Sequence, residues 1–86
     1  MTRMNFDKPN WAPLEAVGGT EFCGEFMWMM RQSGIEYFKH IRTRRYLLLD
    51  SDGRCYRRTA TGFEATDLDT ELKHARGGLA WTRWLN

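Results

Sequence analysis

The stretch that decides the fold of this chain runs from Tyr37 to Arg58 and reads YFKHIRTRRYLLLDSDGRCYRR. Within it, the apolar run over residues 45–49 is too short and too closely bounded for a helix. The segment 50–53 has turn chemistry, because aspartate side chains bond their own backbone and Gly53 supplies a positive φ angle. Residues 54–59 run back antiparallel, so the stretch predicts a β-hairpin with a type I turn and a bulge.

The residues before this hairpin predict two more strands. The run EFMWMMR, residues 25–31, fits either a helix with one apolar face or a strand with two apolar faces. The run is short and segments containing glycine bound it on both sides, so we favour a buried, central strand. Residues 35–41 are its predicted hairpin partner, and residues 42–44 turn the chain into the next hairpin. Together these strands make a four-stranded antiparallel meander.

A short helix is predicted before the meander. Asn10 is a suitable N-cap for a helix over residues 11–17, and a proline is tolerated in its first turn because the missing N–H would have no partner there. The pair of glycines at 18–19 ends this helix. Residues 20–23 add a further helical turn.

A second helix is predicted after the meander. Residues 59–62 are expected to be a loop, and Phe63 adds only a short bridge. In the helix over residues 67–76, acidic residues stand in the first turn and basic residues in the last, as the helix dipole favours. Thr66 and Asp69 resemble a capping box. The tail LAWTRWLN that follows carries two tryptophans, which predicts that it docks on the body of the domain.

These elements predict a single small domain over residues 1–86, with residues 1–9 flexible. Its predicted fold class is α+β: a short N-terminal helix, a four-stranded antiparallel β-meander and a C-terminal helix packed on one face of the sheet. No run approaches the ~18 apolar residues of a membrane span, and the N-terminus lacks the apolar segment of a signal peptide. Two cysteines, Cys23 and Cys55, are too few for a disulfide framework. We therefore expect a cytoplasmic protein with reduced thiols and no membrane partner.

The sequence contains no motif for a metal, a cofactor or catalysis. If Gly53 were the sixth position of a calcium loop, Leu48 and Thr59 would be its end ligands, and neither has the carboxylate that the loop requires. The two histidines, His40 and His74, have no cysteine at the close spacing typical of zinc sites. No nucleophile elbow or phosphate-binding glycine loop accompanies the cysteines. We predict no cofactor, no metal site and no catalytic residue, and an enzyme is the third and least favoured class of function.

The distribution of charge is more informative than the net charge of +2. Residues 39–58 hold seven basic side chains and two acidic ones, so the predicted hairpin region has a strong positive balance. Arginine matches phosphate oxygens with its planar fork, and neighbouring aromatic rings can stack on unpaired bases. The residues predicted to bind nucleic acid or another anion are Lys39, Arg42, Arg44, Arg45, Arg54, Arg57 and Arg58, with Tyr46 and Tyr56.

Two functional hypotheses follow from these observations. The first is a non-enzymatic binding or assembly module that contacts a protein partner or a second copy of itself as a homodimer. It draws on a surplus of Trp, Met and Phe, which one small sheet and one helix hardly cover. Trp28, Trp81 and Trp84 are the predicted interface residues. The alternative is an accessory nucleic-acid-binding protein that uses the arginine-rich hairpin 39–58.

Replacement of the turn glycine tests the predicted hairpin. Gly53→Val is expected to lower the free energy of unfolding by more than about 1 kcal/mol, because a β-branched residue resists a positive φ angle. Chemical denaturation measures this change. An unchanged free energy of unfolding would show that Gly53 does not occupy a left-handed turn position.

Overall fold

The computed structural model describes residues 8–77 of the chain. Within that range the chain forms, in order, α1 (Ala12–Cys23), β1 (Phe26–Gln32), β2 (Ile35–His40), β3 (Tyr46–Asp50), β4 (Cys55–Thr59), β5 (Gly62–Thr66) and α2 (Leu68–Ala75). The strands make one sheet in the order β1-β2-β3-β4-β5, and every neighbouring pair is antiparallel. The predicted α+β fold is confirmed, with five strands in place of four. The expectations for the N-terminus up to residue 7 and for the tryptophan-containing tail lie outside the described residues.

The turn between β3 and β4 has the predicted geometry. Gly53 adopts a φ angle of 87°, and its N–H donates to the Asp50 carbonyl. The Asp50 carboxylate also accepts hydrogen bonds from the backbone N–H groups of Asp52, at 2.9 Å, and Arg54, at 3.0 Å. Because Ser51 has no positive φ angle, Ser51→Ala in the same turn is the matched control for Gly53→Val.

The fifth strand corrects the prediction of a loop with a short bridge at Phe63. It pairs with β4 along its whole length, from Thr59 opposite Gly62 to Cys55 opposite Thr66. The sequence GFEAT has little strand character of its own, so local preference does not explain this strand. Phe63 explains it, since its ring packs against Tyr56 of the neighbouring β4 and Tyr37 of the more distant β2 and holds the hairpin in place.

The strand predicted for EFMWMMR is present as β1, but its predicted central position is wrong. In a meander the first strand is central only if a later strand returns beside it, and none of the described strands does. A bulge between Trp28 and Met30 interrupts the pairing of β1 with β2, and Met29 and Met30 are 41% and 42% exposed. The apolar run therefore belongs to an edge strand in which two methionine side chains are exposed to solvent. The strand with both faces buried is β2.

Both helices begin close to the predicted positions, with different caps. Trp11 holds the N-cap position of α1, and the side chain of Asn10 accepts a hydrogen bond from the N–H of Ala12 at 3.2 Å. Gly19 has non-helical angles, so α1 consists of two helical pieces, as the pair of glycines predicts. The N-cap of α2 is Asp67, which accepts from the Thr70 N–H at 2.9 Å. The predicted capping box built on Thr66 is therefore wrong.

The sheet has one face covered by the helices, here called the helix face. The largest fully buried side chains belong to the cluster on this face, and they are Leu14, Phe38, Leu47 and Leu49. Ala75 of α2 belongs to the same cluster, and Leu68 and Leu72 pack against it. A second, smaller cluster contains Ile35, Tyr37 and Leu48, and Tyr56 and Phe63 pack against it. Every described member of that cluster is a strand residue, so the two helices share one side of the sheet.

A polar clamp joins the start of β1, the end of β2 and the end of α2. The Glu25 carboxylate accepts hydrogen bonds from Arg76, Nε at 3.0 Å and Nη2 at 3.1 Å, and lies 3.1 Å from Nε2 of the buried His40. On the other side of the ring, Nδ1 accepts from the N–H groups of Arg42 and Thr43. Since Nδ1 is an acceptor in both bonds, Nε2 carries the ring proton and donates a hydrogen bond to the Glu25 carboxylate.

This clamp makes stability depend on pH. Partial burial acts to raise the pKa of Glu25, but hydrogen bonds from His40 and Arg76 and the charge of Arg76 outweigh it, so the pKa lies below its ordinary value. The carboxylate therefore stabilises the fold above the pKa of an unfolded glutamate, about 4.3, and this contribution is lost as the pH falls through the lower folded value.

Glu25→Gln is expected to lower the free energy of unfolding by about 1 kcal/mol near neutral pH, because the amide no longer offers a charge to its two donors. The deficit relative to the wild type should shrink as the pH falls through the lowered pKa of Glu25, where the native carboxyl is protonated as well. Urea unfolding near neutral pH and in acid measures it, with the exposed Glu21→Gln as the control. A deficit that is the same at both pH values would contradict the assignment.

Candidate functional site

The sheet face opposite the helices carries the candidate site. Side chains alternate along a strand, so every second residue of β2, β3 and β4 points to this side. Cross-strand pairing aligns them, with Tyr37 opposite Leu48 and Leu48 opposite Tyr56. We call this surface the open face, and its members include Met30, Ile35, Tyr37, Lys39, Tyr46, Leu48, Asp50, Arg54, Tyr56, Arg58 and Phe63.

Four aromatic rings form a connected network on the open face. Tyr37 lies at its centre, with ring centroids 6.1 Å from Tyr46 and 6.2 Å from Phe63, and Tyr56 lies 6.5 Å from Phe63. All three contacts are edge-to-face, the arrangement that aromatic quadrupoles favour. Tyr37 is 7% exposed and Tyr46 is 43% exposed, so the network has a buried centre and an accessible rim.

Cations lie directly beside these rings. The ammonium of Lys39 is 5.6 Å from the ring centroid of Tyr46, and the guanidinium of Arg58 is 5.6 Å from that of Phe63. Arg58 also donates a hydrogen bond from Nη1 to the hydroxyl of Tyr37 at 3.1 Å. These contacts hold the cationic groups against the aromatic surface.

The open face carries one carboxylate, that of Asp50, and this group already accepts hydrogen bonds within the fold. Asp50 accepts from the hydroxyl of Tyr56 at 2.9 Å and from two turn N–H groups. Partial burial acts to raise the pKa of Asp50, but the bonds from Arg54, Tyr56 and Asp52 outweigh it and lower the pKa. Three cations and one ionised carboxylate leave the open face with a net charge of +2.

A shallow groove crosses the open face. It has a volume of about 360 Å³ and is lined by Met30, Tyr37, Tyr46, Leu48 and Arg58. Most of the lining is apolar, with the guanidinium of Arg58 at one side. Such a lining offers flat contact surface to a planar or apolar group and a charged donor to an anion attached to it.

The structure divides the nine residues predicted to bind an anion. Those on the open face are Lys39, Tyr46, Arg54, Tyr56 and Arg58. The side chain of Arg57 points to the helix face and pairs with Glu71 at 2.7 Å. Arg45 donates to the carbonyl of His74 at 3.1 Å, and Arg42 and Arg44 belong to the turn between β2 and β3. Strand alternation separates the neighbours Arg57 and Arg58, whereas Arg42, Arg44 and Arg45 lie outside the strands.

Of the three predicted interface residues, Trp28 lies within the described range 8–77. It is half-buried against the helix-face core, and its Nε1 donates to the buried carboxylate of Glu36 at 2.7 Å. The fold thus uses this side chain internally. Trp81 and Trp84 lie outside the described residues.

Sequence reasoning missed Phe63 and Met30 as members of the candidate site. The sequence predicts a short bridge at Phe63 and a buried strand around Met30, whereas the structure places Phe63 in the aromatic network and Met30 at the groove. The alternation of β1 is a poor guide to Met30, because the bulge at Met29 changes which residues face the same way.

Of the two histidines, His40 is buried and held within the fold. Both ring nitrogens of His40 take part in hydrogen bonds, which removes it as a free base. Over the same range, no group of three His, Cys, Asp or Glu side chains could hold a metal ion. The helices among these residues are too short or too polar to cross a membrane.

Comparison with known proteins returns no relative: no protein-family model, curated protein or solved structure matches this chain. We therefore infer function from the geometry of the open face and of the residues around it.

Cys55 is expected to react slowly with alkylating agents while the protein is folded. Burial and the nearby charge of Glu71 raise the pKa of the Cys55 thiol to about 12, and this side chain is 3% exposed. Since the thiolate is the reactive form, Cys55 should resist alkylation near pH 8 until the protein unfolds. Cys23→Ser leaves Cys55 as the single thiol for a labelling measurement by mass. Rapid labelling of this folded variant would contradict the structure, and labelling in denaturant is the control.

Proposed function

We propose that this protein is a non-enzymatic binding module that holds single-stranded nucleic acid on the open face. The observation that supports this proposal is the joint placement of four aromatic rings and three cations on one sheet face that the described helices leave uncovered. Proteins that bind single strands combine stacking surfaces with positive charge in this way.

Stacking would involve the accessible rim of the aromatic network. Tyr46 exposes 43% of its surface beside the groove, and Met30 exposes 42% on the other side. A base in the groove would lie against Tyr46 and the apolar surface of Leu48. Sequence preference would be weak, because every base has a flat face that an aromatic ring can contact.

Phosphate groups would be neutralised at the edge of the same surface. The guanidinium of Arg58 is held by its hydrogen bond to the Tyr37 hydroxyl. Lys39 and Arg54 add two further cations. Asp50 repels phosphate weakly, since its oxygens accept three hydrogen bonds within the turn and its neighbouring hydroxyl.

A single strand suits this surface better than a duplex. Strands in a sheet lie about 4.8 Å apart, so five strands are wider than the ~12 Å major groove, which admits a helix or a two-stranded ribbon. The bases of an unpaired strand are accessible from the side and need no groove.

Assembly with a protein partner or a second copy is the other proposal. It has less support, because Trp11, Trp28 and Phe22 pack against the helix-face core and account for much of the aromatic surplus that suggested it. Its remaining support is β1, an edge strand with exposed Met29 and Met30, since exposed edges can pair with another chain.

Fluorescence anisotropy with a labelled thymidine oligonucleotide of about twelve nucleotides tests the nucleic-acid proposal. Tyr46→Ser is expected to weaken binding about tenfold, the cost of one lost stacking contact. Arg58→Gln should weaken binding and lower the slope of log affinity against log salt by about one. Lys73→Gln removes an exposed charge from α2, on the helix side of the sheet, and is the matched control.

Three results would contradict the nucleic-acid proposal. They are the absence of salt-sensitive binding by the wild type, no effect of Tyr46→Ser, and an equal loss in Lys73→Gln. Sedimentation of the wild type at micromolar concentration as a dimer that Tyr46→Ser dissociates would assign the open face to a second copy.

A further inference from the structure

The sheet opens between β3 and β4. The ladder between these strands includes Leu49 opposite Cys55 and Leu48 opposite Tyr56, and then stops. The next pairs of the same register would be Leu47 with Arg57 and then Tyr46 with Arg58, and the structure pairs neither. The ladders on either side continue past this point, to Lys39 opposite Tyr46 and to Thr59 opposite Gly62. The two halves of the sheet thus diverge in one place.

This divergence forms a cleft of about 340 Å³. We call it the β3–β4 cleft, and it is lined by Arg45, Tyr46, Leu48, Tyr56, Arg57, Arg58, Glu71 and His74. It reaches from the open face towards α2, which contributes Glu71 and His74. Three guanidinium groups therefore border one cavity.

Each of these guanidinium groups is held in place by a contact within the fold. Arg45 donates from Nη1 to the His74 carbonyl, Arg57 donates from Nη2 to Glu71 and Thr66, and Arg58 donates from Nη1 to the Tyr37 hydroxyl. In these bonds each group uses a single Nη atom. The other N–H groups of each fork leave donors for a ligand in the cleft.

The charge of the cleft matches one class of ligand. Three arginines and the carboxylate of Glu71 leave a net charge of +2 with His74 neutral. Glu71 is already paired with Arg57, so the excess charge belongs to Arg45 and Arg58. Planar guanidinium forks bind the tetrahedral oxygens of phosphate through paired hydrogen bonds.

We propose that the β3–β4 cleft binds a phosphoryl group. The group can belong to a free phosphorylated small molecule, such as a nucleoside monophosphate, or to the backbone of a bound strand. The cleft shares Arg58 with the open face, but Arg45 and Arg57 lie off that face, so phosphate binding in the cleft can be tested apart from the proposed function. If the source is the backbone, the cleft and the open face are two parts of one binding surface.

Titration of the full chain with inorganic phosphate, followed by amide NMR, tests the site. Saturable shifts are expected at Tyr46, Arg58 and His74, and chloride at equal ionic strength should not produce them. Arg45→Gln should weaken phosphate binding about tenfold, the effect of losing one charge-assisted hydrogen bond. Arg42→Gln, in the neighbouring turn and outside the cleft, is the matched control and should bind as the wild type does.

Two further titrations distinguish the sources of the phosphoryl group. A nucleoside monophosphate should bind in the cleft and the corresponding nucleoside should not. If a strand supplies the group, Arg45→Gln and added phosphate will both weaken the oligonucleotide complex, whereas an unchanged complex assigns the cleft to a free phosphorylated ligand.

The proposal is overturned if phosphate causes no more change than chloride, or if Arg42→Gln loses as much affinity as Arg45→Gln. A folded spectrum of Arg45→Gln establishes that any loss comes from the cleft. Phosphate binding without oligonucleotide binding would overturn the proposed function alone, so the two proposals fail separately.

Discussion

The structure depends on the burial of both faces of β2. Phe38 is fully buried on the helix face, and its neighbour Tyr37 is 7% exposed on the open face. The helices cover one of these faces, so within residues 8–77 the other must be covered by side chains of the sheet itself. Burying two large aromatic residues back to back is a substantial part of the hydrophobic stabilisation available to so small a domain.

The aromatic network on the open face follows from this constraint. Tyr37 is shielded by Tyr46, Phe63 and the guanidinium of Arg58, and Tyr56 supports Phe63 in turn. Shielding a buried ring with rings and cations creates a surface that has flat contact area and positive charge. The same side chains thus complete a small core and supply the chemistry on which the binding proposals rest.

The polar contacts distinguish the cations that are paired with carboxylates inside the fold from those that are not. Arg76 is part of the clamp with Glu25 and His40, and Arg57 is paired with Glu71. Lys39 and Arg54 have no carboxylate partner among the salt bridges of the described residues. The positive balance of residues 39–58 is therefore a mixture of structural arginines and of cations available to a ligand, which a count of charges does not separate.

The sequence by itself determined the features that depend on neighbours along the chain. The hairpin turn follows from Asp50 and Gly53, the two pieces of α1 from its glycines, and the fold class from the alternation of apolar runs. Tertiary structure alone decided the edge position of β1, the existence of β5 and which face of the sheet each arginine occupies. Alternation gives the relative orientation of residues in one strand, but which side meets the helices is decided by contacts between distant segments. Phe63 belongs to a strand because it packs on Tyr37, and the β3–β4 cleft exists because pairing stops after Leu48, neither of which a local pattern contains.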